Sequence, residues 1–342
     1  MSQDRYARQQ RFYGIGKEGQ AKIDSGRIAV VGMGALGTAS AMLLARAGVG
    51  FLRLIDRDEV EYSNLTRQVL YDEEDAREHR QKAEAAAAQL ARINSEITVE
   101  PVVSDLTPGN IDSLLSGMDV VVDGTDNFPT RYLINEYCVT HKIPWIYGGA
   151  IESEGMSMTI MPEGPCFACL TGAVRGGDDE GRTCSTVGAI GMATSMTASI
   201  QAAEALKVLI GEPVNQDGLV RFDLWQQELD RFEVHKDPDC PVCGKGETWY
   251  LDRTDILYAK TLCGQNAVQL TPDKNMLESG GRDLQDLADC LAGQGKVTLT
   301  RYYLAFEGTE ASFRLFPDGV AVIYNTTDPG RAKSIYTEYI GN

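Results

Sequence analysis

The sequence predicts an α/β protein. A Rossmann-like, doubly wound and mainly parallel sheet continues into antiparallel strands and is followed by a small C-terminal α+β module. Three observations predict this. Strand and helix patterns alternate through residues 27–150, a glycine-rich turn follows the first strand, and hairpin patterns replace the alternation after residue 248.

Residues 27–56 predict the first βαβ unit. RIAVVG is typical of a buried strand, GMGALG of a turn, TASAMLLARAG of an apolar helix ending at Gly48, and FLRLID of a second strand. Two strands joined by one helix within such a span are expected to be parallel, with a right-handed crossover.

The alternation continues along the chain and then changes character. The predicted elements are a helix over 80–93, strands at ITVEPVV, MDVVVDG and PWIYGG, a helix over 130–142, an edge strand at MSMTIMP, a loop over 172–184, a helix over 190–210, and an antiparallel pair at LVRFDLW and RFEVHK. We therefore expect a first domain over residues 1–247.

Residues 248–342 predict a second, smaller α+β domain. KVTLTRYYLAF and ASFRLFPDGVAVIYN are expected to be strands, the latter folded at its Pro-Asp-Gly turn, and GRAKSIYTEYI a terminal helix. The pattern gives no role for this module.

Charge and hydropathy exclude several classes of protein. The chain has 342 residues, and 32 Lys and Arg against 49 Asp and Glu give a net charge of −17. Such a surface repels phosphate backbones, so we expect no nucleic-acid partner. No apolar run reaches the ~18 residues of a membrane span, and the polar start MSQDRYARQQRF is unlike a secretory signal. We expect a cytoplasmic protein that does not associate with membranes.

The glycine turn is a candidate nucleotide site. Gly32, Gly34 and Gly37 follow the first strand in the spacing GxGxxG, and Asp56 ends the second strand. Glycines let a phosphate approach the backbone at a helix N-terminus, and the acid can bind ribose hydroxyls. The motif does not separate NAD, FAD and ATP, and the alternative is a tight turn with no ligand.

Polar residues after Asp56 favour a triphosphate. Asp58 is followed by Asn64, Arg67 and Gln68, and Lys82 begins the next helix. Cleaving a triphosphate requires its negative charges to be neutralised and aligned, which Arg67 and Lys82 could do. The alternative is that both are solvated surface charges.

A third group of polar residues follows the buried strand that ends at Asp123. Asp126 could hold Mg²⁺, which prefers oxygen ligands, and Asn127 lies beside it. The alternative is that Asp126 or Asn127 caps the following helix.

The cysteines indicate a metal site. Cys166 and Cys169 form one CxxC pair, and Cys240 and Cys243 form another. Two such pairs can close a tetrahedral site, and because all four ligand positions are then filled, a structural Zn²⁺ is expected. A redox pair or an iron–sulfur site is the alternative.

Two further features are candidates for the reaction. Cys184 lies in a glycine-rich loop with arginines nearby in sequence, so it could be a nucleophile or an inert thiol. Arg5 and Arg8 lie in a basic N-terminal arm that could bind the chain's own acidic surface or reach a neighbouring subunit's phosphates.

Taken together, these motifs resemble the MoeB/ThiF/HesA family of adenylyltransferases, bacterial relatives of ubiquitin-activating enzymes. The resemblance covers residues 4 to about 245. It rests on RYARQ, GMGALG, the Asp56–Asp58 pair, SNLTRQ, Lys82, DGTDNF, both CxxC pairs and the Thr183-Cys184 loop. Ala35 replaces a glycine that is common in the family, and the segment STVGAIG after Cys184 differs from the family's usual sequence.

The resemblance implies an activity. Such enzymes use ATP and Mg²⁺ to adenylate the C-terminal glycine of a ubiquitin-like sulfur carrier, MoaD or ThiS, in molybdopterin or thiamine-thiazole biosynthesis. The matching positions imply that Gly32, Gly34 and Gly37 cradle the nucleotide, that Asp56 holds the ribose, that Asn64, Arg67 and Lys82 contact the phosphates, and that Asp126 binds Mg²⁺. The remaining cofactor-binding positions are Asp58, Gln68 and Asn127. Arg8 would reach the site of a second subunit, which implies a homodimer, and Cys184 could link to the carrier.

Two other functions remain open from the sequence. The same glycine turn could serve an NAD- or FAD-dependent oxidoreductase, although such an enzyme gives no role to Arg67 and Lys82. The chain could also be a non-catalytic docking protein for a ubiquitin-like partner.

Overall fold

The structure is a computed structural model that describes residues 5–172, 188–214, 218–252, 257–262, 266–272 and 284–340. The chain forms two compact units. The larger contains the described residues up to Leu106 and Asn110–Leu251, and the smaller contains Thr107–Gly109 and the described residues from Asp252 onward. Trp249, Tyr250 and Leu251 belong to the hydrophobic core of the larger unit. The division at residue 247 stays a prediction.

The larger unit is built on an eight-stranded mixed sheet of order β3-β2-β1-β4-β5-β6-β7-β8. The first five strands in this order run parallel to one another, and the last three strands pair antiparallel to their neighbours. The strands are β1 (Arg27–Val31), β2 (Phe51–Ile55), β3 (Thr98–Val102), β4 (Val120–Asp123), β5 (Trp145–Ile151), β6 (Glu154–Ile160), β7 (Gly218–Asp223) and β8 (Glu228–Glu233). The predicted fold class is confirmed.

Helices accompany this sheet along the chain. They are α1 (Ala7–Gln10), α2 (Gly16–Ser25), α3 (Ala35–Ala47), α4 (Glu73–Arg77), α5 (Lys82–Ile93), α6 (Ile111–Leu115), α7 (Phe128–His141), α8 (Phe167–Thr171) and α9 (Gly191–Ile210), with a short 3₁₀ turn at Tyr62–Asn64. Within the described ranges, no helix has the length and hydropathy needed to cross a bilayer.

Both faces of the sheet are covered, as a doubly wound fold requires. Side chains of successive strand residues point to opposite faces. Val31 and Val121 therefore join one hydrophobic core with Trp145, while Val30 and Val122 join the other. All of these side chains are buried.

One strand differs from its prediction. MSMTIMP was expected to be an edge strand because polar and apolar residues alternate in it, yet β6 pairs with β5 on one side and β7 on the other. The polar residues of the pattern are buried and hydrogen-bonded. Ser157 donates to the Tyr147 carbonyl at 2.9 Å, and Thr159 donates to Glu204 at 2.9 Å. The alternation of polar and apolar residues in β6 therefore reflects two buried polar side chains with hydrogen-bond partners, and it does not indicate a solvent-exposed edge strand.

Three glycines allow the backbone to cross closely above β1 and β4. A Cβ added at Gly37 would lie 1.8 Å from the Gly32 carbonyl oxygen, and one added at Gly124 would lie 2.3 Å from the same atom. Gly32 itself has a φ of +87°. Gly34 differs, because its nearest neighbour in the direction of a Cβ is the Gly124 carbonyl oxygen at 3.9 Å.

The smaller unit is an antiparallel sheet of order β11-β12-β13-β14-β10-β9 with helices on its main apolar core. Its elements are β9 (Leu257–Leu262), β10 (Ala267–Pro272), α10 (Leu284–Leu291), β11 (Lys296–Leu299), β12 (Leu304–Glu307), β13 (Ser312–Leu315), β14 (Ala321–Tyr324), α11 (Pro329–Ile335) and a π-helical segment Tyr336–Ile340. The Pro-Asp-Gly turn falls where predicted. KVTLTRYYLAF also folds into a hairpin, in which Thr300 accepts from and donates to the backbone of Tyr303.

We expect Gly37→Ala and Gly34→Ala to differ in stability. At Gly37 the clash is with backbone, so the variant should lose about 3 kcal/mol of unfolding free energy, near the upper range for overpacking. Gly34→Ala should unfold within about 0.5 kcal/mol of wild type, because its Cβ meets open space. Urea denaturation measures both, and equal losses would contradict this account.

Candidate functional site

The candidate site lies at one edge of the larger unit's sheet. β1, β2 and β4 are parallel neighbours, so their carboxyl ends share an edge. Gly32, Asp56 and Gly124 are the residues that directly follow these three strands. This edge, where chain connections diverge to either side, is the usual ligand crevice of open α/β sheets.

Asp56 holds the glycine turn at this edge. One carboxylate oxygen accepts from the Met33 amide at 2.7 Å, and the other accepts from the Asp58 amide at 2.7 Å. Burial raises the pKa of Asp56 to about 6, against the opposing attraction of Lys82. The predicted ribose acid is thus fixed in orientation, with lone pairs left to accept from a ligand hydroxyl.

Lys82 is buried and paired, and not a solvated surface charge. It begins α5, only 8% exposed, and its ammonium group lies 3.2 Å from Asp58. Burial alone would lower the pKa of Lys82, but the carboxylates of Asp58, Asp56 and Asp126 outweigh it and raise that pKa. The lysine is therefore a permanent cation at the sheet edge, within electrostatic reach of the loop after β4.

The segment between Asp58 and Lys82 carries the other predicted phosphate ligands. Asn64 is buried, and its side-chain oxygen accepts from the Glu61 amide at 3.1 Å. Arg67 is half-buried and donates to the Ser63 carbonyl at 2.9 Å. Gln68 is buried, and in the described ranges its side-chain oxygen has no hydrogen-bond partner. Asn64 and Arg67 are thus anchored locally, and no described contact joins Arg67 to Lys82.

Asp126 and Asn127 take different positions in the loop after β4. Asn127 caps α7, accepting from the Thr130 amide at 3.0 Å, which is the structural alternative raised by the sequence. Asp126 is exposed. Its carboxylate contributes to raising the pKa of both Lys82 and Arg131, so it lies within electrostatic reach of these two cations.

A buried ion pair beneath this loop was missed by the sequence analysis. Arg131 donates to Asp123 at 3.1 Å and to the carbonyls of Thr125 at 2.6 Å and Gly148 at 3.1 Å. Burial raises the pKa of Asp123 despite the neighbouring guanidinium. The spacing of Asp123 and Arg131 gave no signal, because one residue ends a strand and the other lies on the second turn of a helix.

The four predicted metal ligands come together. The sulfur atoms of Cys166, Cys169, Cys240 and Cys243 all lie within 4.8 Å of one another. Separations are 3.9 Å for Cys166–Cys169, 3.7 Å for Cys166–Cys240 and 3.4 Å for Cys169–Cys243. Four thiolates placed ~2.3 Å from a tetrahedral zinc ion lie about 3.8 Å apart. The cluster is compatible with zinc binding.

Helix α7 supports the cysteine cluster. The side-chain oxygen of Asn135, fully buried, accepts from the Phe167 amide at 2.8 Å, at the start of the turn that carries Cys166. Burial, together with the neighbouring sulfur atoms of Cys169 and Cys240, raises the pKa of the Cys166 thiol to about 11. A metal that binds here must displace thiol protons.

The remaining predicted site residues lie in the N-terminal arm and the glycine-rich loop. Arg5 donates to the Ile93 carbonyl at 3.1 Å and lies 3.6 Å from Glu96, so it binds the chain's own surface, one of the two alternatives above. Arg8 is exposed on α1. Cys184 lies outside the described residues.

Comparison with known proteins identifies the family. The ThiF family model matches residues 6–242. The chain belongs to the ThiF family. This confirms the resemblance seen in the sequence. The match covers the glycine turn, the Lys82 helix, the loop after β4 and three of the four clustered cysteines, and it ends one residue before Cys243.

Several relatives in this family have names that state an activity. The chain is 40% identical to the sulfur carrier protein ThiS adenylyltransferase of Bacillus subtilis, over 98% of this chain and 99% of that protein. It is 40% identical to the SAMP-activating enzyme E1 of Haloferax volcanii, over 71% and 89% of the two chains. It is 38% identical to the molybdopterin-synthase adenylyltransferase of Salmonella typhimurium, over 70% and 96%.

A solved structure supports the fold. The Escherichia coli MccB structure with MccA-N7isoASN has a TM-score of 0.63 and 24% identity, over 71% of this chain and 75% of that chain.

Proposed function

We propose that this protein is an ATP-dependent adenylyltransferase that activates the C-terminal glycine of a ubiquitin-like sulfur carrier of the ThiS type. The observation that carries the proposal is the match to a ThiS adenylyltransferase along 98% of this chain and 99% of that protein, with Gly34, Asp56 and Lys82 assembled at one sheet edge. The MoaD-type carrier is the second candidate.

The geometry supports binding of ATP. Gly32 and Gly37 are required by backbone packing, whereas Gly34 leaves open space at the N-terminus of α3, where a phosphate gains from the helix dipole. Asp56 is oriented to accept from ribose hydroxyls, and the buried Lys82 supplies a cation to the phosphates. Gln68 and Asn64 line the segment that leads to Lys82.

The reaction needs positioning and charge neutralisation more than proton transfer. The attacking group is a carboxylate of the carrier, already ionised. Its oxygen bonds to the α-phosphorus, the bond from that phosphorus to the bridging oxygen breaks, and pyrophosphate leaves with the electron pair. Lys82 and Arg67 would offset the charge that brings two anions together. A nicotinamide-dependent oxidoreductase gives no role to the Lys82–Asp58 pair.

Two metals belong to the proposal. Mg²⁺ when bound would neutralise phosphate charge, and the exposed Asp126, which lies within electrostatic reach of Lys82, is the residue we assign to hold it. Zn²⁺ when bound would be structural, because Cys166, Cys169, Cys240 and Cys243 fill four positions.

The choice of carrier rests on how far the alignments extend. The Salmonella molybdopterin enzyme aligns with 70% of this chain, whereas the Bacillus ThiS enzyme aligns with 98% of it, which must include residues of the smaller unit. We therefore assign ThiS as the partner and thiamine-thiazole biosynthesis as the pathway, with MoaD as the competing partner.

The remaining assignments follow the family resemblance. Arg8 would reach the phosphates of a second subunit in a homodimer, and Cys184 would contact or link to the carrier. We also propose a cytoplasmic location and no nucleic-acid or membrane partner, in keeping with the net charge of −17.

Pyrophosphate exchange tests the function directly. Purified protein with Mg²⁺, ATP and labelled pyrophosphate should form labelled ATP only when ThiS with an intact C-terminal glycine is added. Asp126→Ala should reduce exchange by about 10²–10³-fold, the loss typical of removing one group that stabilises charge in a transition state. A matched Asp230→Ala variant, on the exposed strand β8, should exchange at the wild-type rate. Exchange with MoaD alone would select the second candidate, and exchange with neither would contradict the proposal.

The raised pKa of Asp56 gives ribose binding a pH dependence. Below a pKa of about 6 the carboxyl is neutral and accepts weakly, so affinity is present above that pH and lost as the pH falls through it. Adenosine, which carries no phosphate to titrate, should bind about tenfold more weakly at pH 5 than at pH 7. Calorimetry measures this, with Asp56→Asn expected to bind weakly at both values. A wild-type affinity that does not change with pH would exclude Asp56 as the ribose acid.

The cysteine cluster predicts metal content. The protein should contain about one zinc ion per chain by elemental analysis, and Cys240→Ser should lose the zinc and several kcal/mol of stability. Cys290→Ser, at an exposed cysteine outside the cluster, is the matched control and should keep both. Zinc retained by Cys240→Ser, or absent from wild type, would overturn the assignment.

A further inference from the structure

Tyr71 contacts both ends of the proposed nucleotide site without belonging to it. Its hydroxyl lies 2.8 Å from the Met33 carbonyl in the glycine turn and 3.2 Å from the Lys82 carbonyl at the start of α5. The hydroxyl proton is shared between the two acceptors. The ring is buried in the apolar core that contains Val60 and Leu70, so the hydroxyl is held in place by packing.

These contacts close a ring of hydrogen bonds. Met33 donates to Asp56, whose other oxygen accepts from Asp58. The Lys82 amide donates to the Asp58 carbonyl at 2.8 Å, and the Lys82 ammonium lies 3.2 Å from the Asp58 carboxylate. Tyr71 completes the ring from Lys82 back to Met33. Each member is therefore placed relative to the next by at least one hydrogen bond.

We propose that Tyr71 is a positioning residue that fixes the Lys82 ammonium relative to the glycine turn, and so relative to the phosphates of a bound nucleoside triphosphate. This inference rests on the proposed ATP site. Asp58 and Asp56 connect the Lys82 ammonium to the turn through three successive contacts, whereas Tyr71 connects the two backbone segments through one side chain. The Tyr71 hydroxyl sets the distance between α5 and the turn where the phosphates would lie.

A double-mutant cycle tests the proposal on the full-length protein. Mg·ATP and adenosine affinities are measured by calorimetry for wild type, Tyr71→Phe, Lys82→Ala and the double variant. Tyr71→Phe should weaken ATP about tenfold, the scale of one lost hydrogen bond, and adenosine less than about twofold. In the Lys82→Ala background the same change should alter ATP affinity less than about twofold.

Tyr137→Phe is the matched control. Tyr137 is also buried, and its hydroxyl donates to Asp112 at 3.0 Å from the third turn of α7. It should lose a similar amount of stability and keep wild-type ATP affinity. If Tyr71→Phe failed to fold, Tyr71→Met would replace it in the same cycle, with the same expected values.

Three results would overturn the inference. They are an unchanged ATP affinity in Tyr71→Phe, an equal loss of adenosine affinity, and a tenfold loss that persists without the Lys82 ammonium. Absence of ATP binding by wild type would instead reject the proposed function, and the inference with it. The two failures are therefore distinguishable.

Discussion

The close crossing of three backbone segments at Gly32, Gly37 and Gly124 is the constraint on which the rest of the structure depends. A single β-carbon at Gly37 or Gly124 would collide with the Gly32 carbonyl. Because these contacts are backbone to backbone, no side chain can move aside to accommodate a larger residue. The crossing brings the N-terminus of α3 over the ends of β1 and β4, and all other features of the site are placed around it.

A buried ion pair then stabilises the loop that follows β4 at this crossing. The buried Asp123–Arg131 pair secures the loop after β4, and the Gln201 side chain donates to the Asp123 carbonyl at 2.7 Å from α9. Taking two charges out of water is costly, and such a pair persists only when hydrogen bonds satisfy both partners, as they do here. The pair fixes the start of α7.

Helix α7 connects the nucleotide edge to the cysteine cluster. Asn127, Arg131 and Asn135 are spaced four residues apart, so they lie along one face of the helix. The first caps the helix, the second holds the loop after β4, and the third holds the turn that carries Cys166. A structural metal would therefore stabilise the same helix that anchors the loop after β4.

Much of the fold and site could be predicted from the sequence because the signals are local. The βαβ start, the GxGxxG spacing and the paired CxxC motifs each lie in a few consecutive residues. The roles of Arg131, Gln201 and Tyr71 could not be predicted, because each acts on a backbone group distant in sequence. The alternating pattern of β6 led to the wrong prediction of an edge strand for a related reason, since the hydrogen-bond partners of its polar residues lie on other elements.

The account is tested most directly by a crystal structure with Mg²⁺ and a non-hydrolysable ATP analogue. It predicts the ribose beside Asp56, the phosphates over Gly34 and the N-terminus of α3, and the Lys82 ammonium facing them. A nucleotide bound elsewhere on the chain, or one whose phosphates point away from Lys82, would contradict it.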